Sequence, residues 1–244
     1  MINFEKWIEL YGDLYEINKA EETFFYNLCN EFPQHAKTLN VEAGLALLPS
    51  KLAYKYDVTV TDSHQEFIKY ILSKQTNSEI QPPTFHINSN EIAKYLGKEF
   101  FNVIYCINSR LIFLQEQSLI EKLLFDAKSL LTKDGYIVFD LINFSRYDLT
   151  QNEIELPVRK TEKLSLHGKI TKGADGSFLL TQLAKLPNGE AIDVVKDEKI
   201  CVLTKDAIED IAKRIGFSSI TFYSDYNKTP YQKDGYRLIC ELVK

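Results

Sequence analysis

The residues best suited to chemistry in this chain are a loop around Gly44 and an acidic residue, Asp62, that ends a later apolar segment. The loop reads Asn-Val-Glu-Ala-Gly-Leu-Ala over residues 40–46. A strand ending in a glycine-rich turn, a helix, and a second strand ending in a carboxylate form a device by which α/β proteins hold an adenosine. Backbone N–H groups approach the cofactor, and the carboxylate accepts the ribose hydroxyls. The sequence thus predicts an adenosine site with an altered loop.

Alternating apolar and helical segments predict the elements that position this loop. Five strands separated by helices are expected at residues 38–41, 58–61, 84–87, 100–107 and 136–142. A helix is expected over 45–54, the capping-box sequence Ser63 to Glu66 begins the next one, and Gly135 is expected to end the helix before strand five. A helix ending at Gly216 and strands at 220–223 and 237–243 complete the pattern.

Residues 152–203 have a different character, because Asp175-Gly176 and Asn188-Gly189 are strong hairpin signals. The predicted fold is α/β: a doubly wound, seven-stranded, mostly parallel sheet with N-terminal helices and an antiparallel β insertion after strand five. We expect a single domain over residues 1–244, with a helical lid at 1–35 and the insertion at 152–203.

Composition narrows the function classes. The chain has 244 residues, a net charge of −5 and no Lys- or Arg-rich run, which argues against nucleic acid or an anionic membrane as the main partner. The N-terminus has no basic segment followed by an apolar one, so we expect a cytoplasmic location. Neither a disulfide framework nor a metal site is expected from the scattered cysteines and histidines, namely Cys29, Cys106, Cys201, Cys240, His35, His64, His86 and His167.

Taken in order, these elements resemble a class I S-adenosylmethionine-dependent methyltransferase, in particular the small-molecule N- or O-methyltransferases with an inserted antiparallel sheet. The resemblance rests on the loop at 40–46, on Asp62, on Phe-Asn-Val-Ile-Tyr-Cys at 101–106, and on the run at 130–140. It implies S-adenosylmethionine as cofactor and a small-molecule methyl acceptor. The family motif D-x-G-x-G-x-G falls on Asn40, Glu42, Gly44 and Ala46, so one glycine remains.

The resemblance also implies roles for individual residues. Asp62, followed by Ser63, stands at the ribose position; its alternative role is that of a neighbour to a helix N-cap. The remaining cofactor candidates are Asn88 or Ser89 near the adenine, Cys106 and Ile107 lining the methyl-transfer site, and Tyr11 and Tyr15 closing over the cofactor. Each has a plainer alternative, since Asn-Ser-Asn is ordinary loop chemistry and helically spaced aromatic residues are more often core.

Glu42 leaves two functions open. Its carboxylate either turns aside or contacts the cofactor's amine or sulfonium, or it fills the site. The leading prediction is methyl transfer from S-adenosylmethionine to an N or O atom of a small molecule. The alternative is an inactive pseudo-methyltransferase that acts as a binding or regulatory subunit and engages a second copy or a protein partner through the β insertion. A third class, the NAD-dependent oxidoreductases, fits the late hairpins poorly. No catalytic residue is recognisable, and Tyr147, Arg159 and Tyr231 are candidates for the acceptor pocket.

Overall fold

A computed structural model describes residues 1–75 and 80–244. Two N-terminal helices are each capped by an asparagine: the side chain of Asn3 accepts a hydrogen bond from the Lys6 N–H at 3.2 Å, and that of Asn18 from the Glu21 N–H at 2.9 Å. No helix in the described ranges is long and apolar enough to span a membrane. The helices are α1 (Phe4–Leu14), α2 (Lys19–Asn30), α3 (Leu47–Leu52), α4 (Gln65–Gln75), α5 (Ile92–Tyr95), α6 (Gln117–Leu130) and α7 (Lys205–Ile215).

The strands form two sheets in the described part of the chain. In chain order they are β1 (Lys37–Asn40), β2 (Asp57–Asp62), β3 (Thr84–His86), β4 (Phe101–Cys106), β5 (Leu131–Ile142), β6 (Glu153–Glu155), β7 (Arg159–Lys160), β8 (Ser165–Lys172), β9 (Phe178–Lys185), β10 (Ala191–Ile200), β11 (Ser219–Tyr223) and β12 (Arg237–Val243).

The main sheet has the order β11-β12-β5-β4-β1-β2-β3. Strands β1 to β5 are parallel, and β12 runs antiparallel between β5 and β11. Helices cover both faces, so β1 and β4 are almost entirely buried. This arrangement confirms the predicted doubly wound, seven-stranded α/β fold. The carboxyl ends of β1, β2 and β4 therefore meet at one edge, where ligands bind in such sheets.

The inserted sheet has the order β10-β9-β8-β6, with β7 paired to β8, and all its pairs are antiparallel. Gly176 and Gly189 occupy the turns with φ of 81° and 88°, as the hairpin signals predicted. The insertion also holds the N-terminus, because the Asn3 N–H donates to the Val194 carbonyl at 3.0 Å. Helix α1 therefore rests on β10 as well as on the main sheet.

Two local predictions were wrong. Gly135 does not end a helix: α6 already ends at Leu130, the next residue is extended, and Gly135 lies within β5. A Cβ there would lie 3.0 Å from the Asn102 carbonyl oxygen, so the glycine serves strand packing. The helix expected over 45–54 is shorter, since the backbone before Leu47 is still in the loop. Gly216 ends α7 with φ of 83°, as predicted.

Candidate functional site

The loop after β1 has the backbone of a glycine motif, although two of the three glycines are absent. Glu42, Gly44 and Ala46 have φ of 52°, 59° and 53°. All three are left-handed, a conformation that costs a residue with a Cβ about 1–2 kcal/mol. The conformation that glycine normally supplies is therefore preserved by the surrounding contacts at Glu42 and Ala46.

Asp62, at the end of β2, forms a hydrogen bond to this loop. Its Oδ2 accepts the Gly44 N–H at 2.8 Å, and its Oδ1 accepts the His64 N–H at 2.8 Å. The His64 Nδ1 lies 3.1 Å from the same Oδ1. Because the residue is 0% exposed, both carboxylate oxygens are already engaged inside the protein.

Arg110 belongs to the site although no sequence pattern indicated it. It lies shortly after β4, is 1% exposed, and places its NH2 atom 3.3 Å from Asp62 Oδ2 and 3.5 Å from Glu42 Oε2. Its guanidinium carbon lies 4.8 Å from the ring centres of both Trp7 and Phe67. An arginine in such surroundings combines charge pairing with cation–π contact.

Glu42 turns into the same cluster. Its Oε2 accepts the Ser63 hydroxyl at 2.9 Å, and the side chain is only 4% exposed. The Glu42 carboxylate therefore points towards Ser63 and Arg110. Once position 42 is known to be buried, a carboxylate there needs a cation, and the end of the adjacent strand is where that cation lies.

The electrostatics of the cluster follow from burial and pairing. Burial, followed by the nearby Asp62 charge, raises the pKa of Glu42. For Asp62 burial acts in the same direction, but Arg110 and the hydrogen bonds from His64 and Gly44 outweigh it and lower the pKa. Glu42, Asp62 and His64 bring potential metal-ligand atoms within 4.8 Å of one another. Arg110 already supplies a cation to both carboxylates, so this arrangement does not require a metal ion.

The network is incompletely hydrogen-bonded. Among the described residues, Glu42 Oε1 and the Nε and NH1 atoms of Arg110 are buried without a hydrogen-bond partner. Leaving buried polar atoms unpaired costs about 1–3 kcal/mol each. The two carboxylates and the guanidinium therefore form an ionic cluster whose hydrogen-bonding capacity is only partly used.

Tyr11 covers the loop from α1. Its hydroxyl occupies the space in which a Cβ at position 44 would lie, so Gly44 permits this contact by lacking a side chain. Tyr15 stacks against Tyr11 with ring centres 4.5 Å apart, and both side chains are buried. Tyr11 thus covers the loop, and Tyr15 packs on Tyr11.

The other predicted residues are dispersed around this cluster. Asn40 is buried and donates its amide to the Tyr105 carbonyl at 3.1 Å, while Cys106 and Ile107 are packed in the core. Asn88 is exposed and caps a short turn by accepting the Asn90 N–H at 2.9 Å. Ser89, 1% exposed, has a hydroxyl without a partner among the described residues.

A separate cavity of about 350 Å³ lies between the main and inserted sheets. The ends of β4 and β5 form one wall with Asn108, Ser109 and Leu141, and strands β8 and β9 form the opposite wall. Tyr147 and Arg159 line it, whereas Tyr231 packs outside and donates its hydroxyl to Asn143. The cavity is large enough for a small organic molecule.

Arg159 gives this cavity a positive charge. Among the described residues no carboxylate lies within ion-pairing distance of it, and its guanidinium carbon lies 5.2 Å from the Tyr15 ring centre. Burial lowers its pKa, because desolvation disfavours a charge that has no close partner. The nearby Arg237, in contrast, pairs with Asp140 at 3.2 Å. Arg159 is therefore the cation of the cavity that is available to a ligand.

The groove assigned to S-adenosylmethionine by the resemblance does not accommodate it in this arrangement. The ribose-binding candidate, Asp62, is inaccessible, Tyr11 lies on Gly44, and the Arg110 guanidinium lies 3.3 Å from Asp62 and against the rings of Trp7 and Phe67. Cofactor binding at this place requires these side chains to leave it.

Comparisons with known proteins point to one family. A curated glycine/sarcosine N-methyltransferase from Aphanothece halophytica is 23% identical over 231 residues, which are 94% of this chain and 83% of that protein. No family model matches the chain.

Solved structures agree with this match. The CcbJ methyltransferase from Streptomyces caelestis superposes with a TM-score of 0.79 at 12% identity, over 97% of this chain and 95% of that chain. An S-adenosylmethionine-dependent methyltransferase from Clostridium acetobutylicum gives 0.75 at 14% identity, over 98% of both chains. At these identities the structural likeness establishes the fold. Together with the curated relative, it confirms the resemblance of this chain to the class I S-adenosylmethionine-dependent methyltransferases.

Proposed function

We propose that this chain is an S-adenosylmethionine-dependent methyltransferase that acts on an N or O atom of a small molecule. The observation that carries the proposal is the match to a curated N-methyltransferase along 94% of the chain, in the same fold. The preserved left-handed backbone of the loop at 42–46 and its bond to Asp62 support it. The comparisons do not favour the alternative of an inactive binding subunit.

The proposed cofactor contacts are those implied by the resemblance. The cofactor makes these contacts after the cluster of Glu42, Asp62 and Arg110 has rearranged. S-adenosylmethionine supplies an already activated methyl group, which leaves the protein mainly to align an acceptor and exclude water. The proposed contacts are Tyr11, Tyr15, Asn40, Glu42, Gly44, Asp62, Ser63, Asn88, Ser89, Cys106 and Ile107.

The acceptor site is the cavity between the two sheets. It adjoins Asn108 and Ser109, which follow β4 at the edge where methyl transfer takes place in this fold. Arg159 lines this cavity without a carboxylate partner among the described residues, so we assign it to an anionic group of the acceptor, such as a carboxylate. The inserted sheet forms the opposite wall and thereby selects the acceptor. A homodimer or protein partner that engages the insertion, and a cytoplasmic location, also belong to this proposal.

The direct test is transfer of an isotopically labelled methyl group from S-adenosylmethionine to a panel of amines and alcohols, each offered with and without a carboxylate. Carboxylate-bearing acceptors are expected to be preferred. Arg159→Gln should raise the KM for such an acceptor at least about tenfold, because one charged contact is lost. Lys160→Gln, at an exposed neighbouring position, is the control and should change the KM less than twofold. Equal KM values for the two variants would contradict the role of Arg159.

Cofactor placement is tested separately by titration calorimetry. Asp62→Ala should weaken the binding of S-adenosylhomocysteine, whereas Glu42→Gly should retain or strengthen it, because the glycine relieves a φ of 52° and removes a buried charge. The reverse ranking would contradict the position of the site.

A further inference from the structure

Side chains of the protein itself fill the groove that the resemblance assigns to the cofactor. We define the occluding pair as the side chains of Glu42 and Arg110, whose charged atoms lie 3.5 Å apart in a place that is 1–4% exposed. Arg110 of the pair contacts Asp62, the residue that the resemblance assigns to the ribose of the cofactor, at 3.3 Å. Glu42 enters from the loop after β1, and Arg110 enters from the segment after β4.

The surroundings hold the occluding pair from three elements. Trp7 of α1 and Phe67 of α4, whose ring centres lie 5.4 Å apart, both contact the guanidinium, and the Phe113 ring centre lies 5.7 Å from its carbon. Helix α1 adds Tyr11, which rests on Gly44. A ligand that approaches the loop must therefore displace both the arginine and the face of α1 that packs on it.

The same surroundings show that the pair is not a fully satisfied core network. Three of its polar atoms are buried without partners among the described residues, and the loop beneath it retains three left-handed residues. A network that is only partly hydrogen-bonded gains less from staying closed than a complete one. A ligand with its own hydroxyl donors would supply the partners that Asp62 otherwise obtains from Arg110.

We propose that the occluding pair acts as an internal competitor for the adenosyl site, so that S-adenosylmethionine binds only after Arg110 leaves Asp62 and α1 shifts. This inference rests on the proposed function, since it concerns access to that same cofactor. The apparent affinity is then the intrinsic affinity reduced by the fraction of molecules in the open arrangement. Removing the pair should raise the affinity without adding any contact to the cofactor.

The test compares the full-length wild type with Glu42→Gly/Arg110→Met. Methionine keeps most of the arginine's volume beside the Trp7 and Phe67 rings, and glycine suits the left-handed φ, so the double variant retains no unpaired member of the pair. Glu42→Gly alone, in which Arg110 still has Asp62, is a second variant that retains a buried ion pair. The control is Glu121→Gln/Arg214→Met, which removes an ion pair of 2.9 Å from the surface. Circular dichroism establishes that every variant is folded.

Two measurements are made with S-adenosylmethionine and S-adenosylhomocysteine. Calorimetry gives the affinity, and fluorescence reports on α1, because Trp7 is the single tryptophan of the chain and is 0% exposed against Arg110. The double variant should bind at least about tenfold more tightly than the wild type, with Glu42→Gly between them and the control unchanged. Saturable binding to the wild type should shift the Trp7 emission as its packing against Arg110 is broken.

The outcomes separate this inference from the proposed function. If the wild type binds as tightly as the double variant, the occluding pair does not compete, whereas the cofactor assignment stands. If neither binds although both are folded, the cofactor assignment fails and the inference fails with it. If the wild type binds without any change in Trp7 emission, the site opens without α1, and the proposed route is wrong.

Discussion

The ionic cluster at the carboxyl edge of the sheet makes a strong prediction about stability. Arg110→Met removes the cation from two carboxylates, Glu42 and Asp62, that are 4% and 0% exposed. Breaking a buried ion pair by removing one partner costs about 3–5 kcal/mol, because a charge remains buried without compensation. Methionine preserves much of the packing against Trp7 and Phe67, so we expect a loss of about 4 kcal/mol, a large share of the usual 5–15 kcal/mol of a folded domain.

The assay is urea unfolding followed by far-ultraviolet circular dichroism, since Trp7 fluorescence would itself respond to the loss of Arg110. The double variant Glu42→Gly/Arg110→Met should be more stable than the sum of its single variants predicts, by about 2 kcal/mol, because Glu42→Gly removes one of the two carboxylates that Arg110→Met leaves without their cation. The surface variant Arg214→Met, whose side chain is 53% exposed, should lose less than about 1 kcal/mol.

The effect of Arg110→Met should also depend on pH. Without the guanidinium, the pKa of each buried carboxyl rises in the folded state, so the folded protein takes up protons more readily than the unfolded chain. The destabilisation should then be larger at pH 8 than at pH 5. A loss of less than about 1 kcal/mol at pH 8, or no coupling in the double variant, would refute the assignment of Arg110 as the compensating cation.

Two further predictions concern other buried groups. Burial and the neighbouring Asp140 raise the pKa of Glu21 to about 7 from 4.5, so the folded state holds this proton more tightly and stability falls as pH rises from about 4.5 to 7. Glu21→Gln should therefore have a free energy of unfolding in urea that exceeds that of the wild type by up to about 3 kcal/mol at pH 8. At pH 4.5 the two proteins should be similarly stable. Equal stability at pH 8 would contradict the raised pKa. Gly44→Ala should lose at least about 2 kcal/mol through its φ of 59° and overlap with Tyr11, and Tyr11→Ala should recover part of that loss; simple additivity would contradict the contact.

Much of the fold could be predicted from the sequence because local signals agree with the tertiary structure. Apolar runs indicated β4 and β12, and the two turns of the insertion were indicated by their Asp-Gly and Asn-Gly pairs. Gly135 was misread because a glycine after an apolar helical stripe is typical of a helix end. Here the chain turns directly from α6 into β5, and the glycine instead relieves contact with the Asn102 carbonyl.

The candidate site was predictable in its backbone and not in its side chains. The loop and Asp62 follow from the order of strand, turn and strand, whereas the hydrogen bond from the Gly44 N–H to Asp62 is seen only in the structure. Arg110 carries no local signal, because its partners come from α1, α4, β2 and the loop after β1. Arg110 can be identified only as the cation that a carboxylate at position 42 needs, and that need arises only because position 42 is buried.

Glu42 and Arg110 are best understood as one unit, because each compensates the charge of the other. A carboxylate alone at position 42 would add a second negative charge beside Asp62 in a buried place, and a guanidinium alone after β4 would have only Asp62 to pair with. Together they bring one negative and one positive charge, so the cluster gains no net charge while the groove is filled. The loop beneath them has φ values of 52°, 59° and 53°, so it has the left-handed backbone that glycine normally supplies. Under our proposal that the pair competes with the cofactor, the obstacle to binding lies in two side chains and in the helix that packs on them, and removing the pair tests the site without rebuilding its loop.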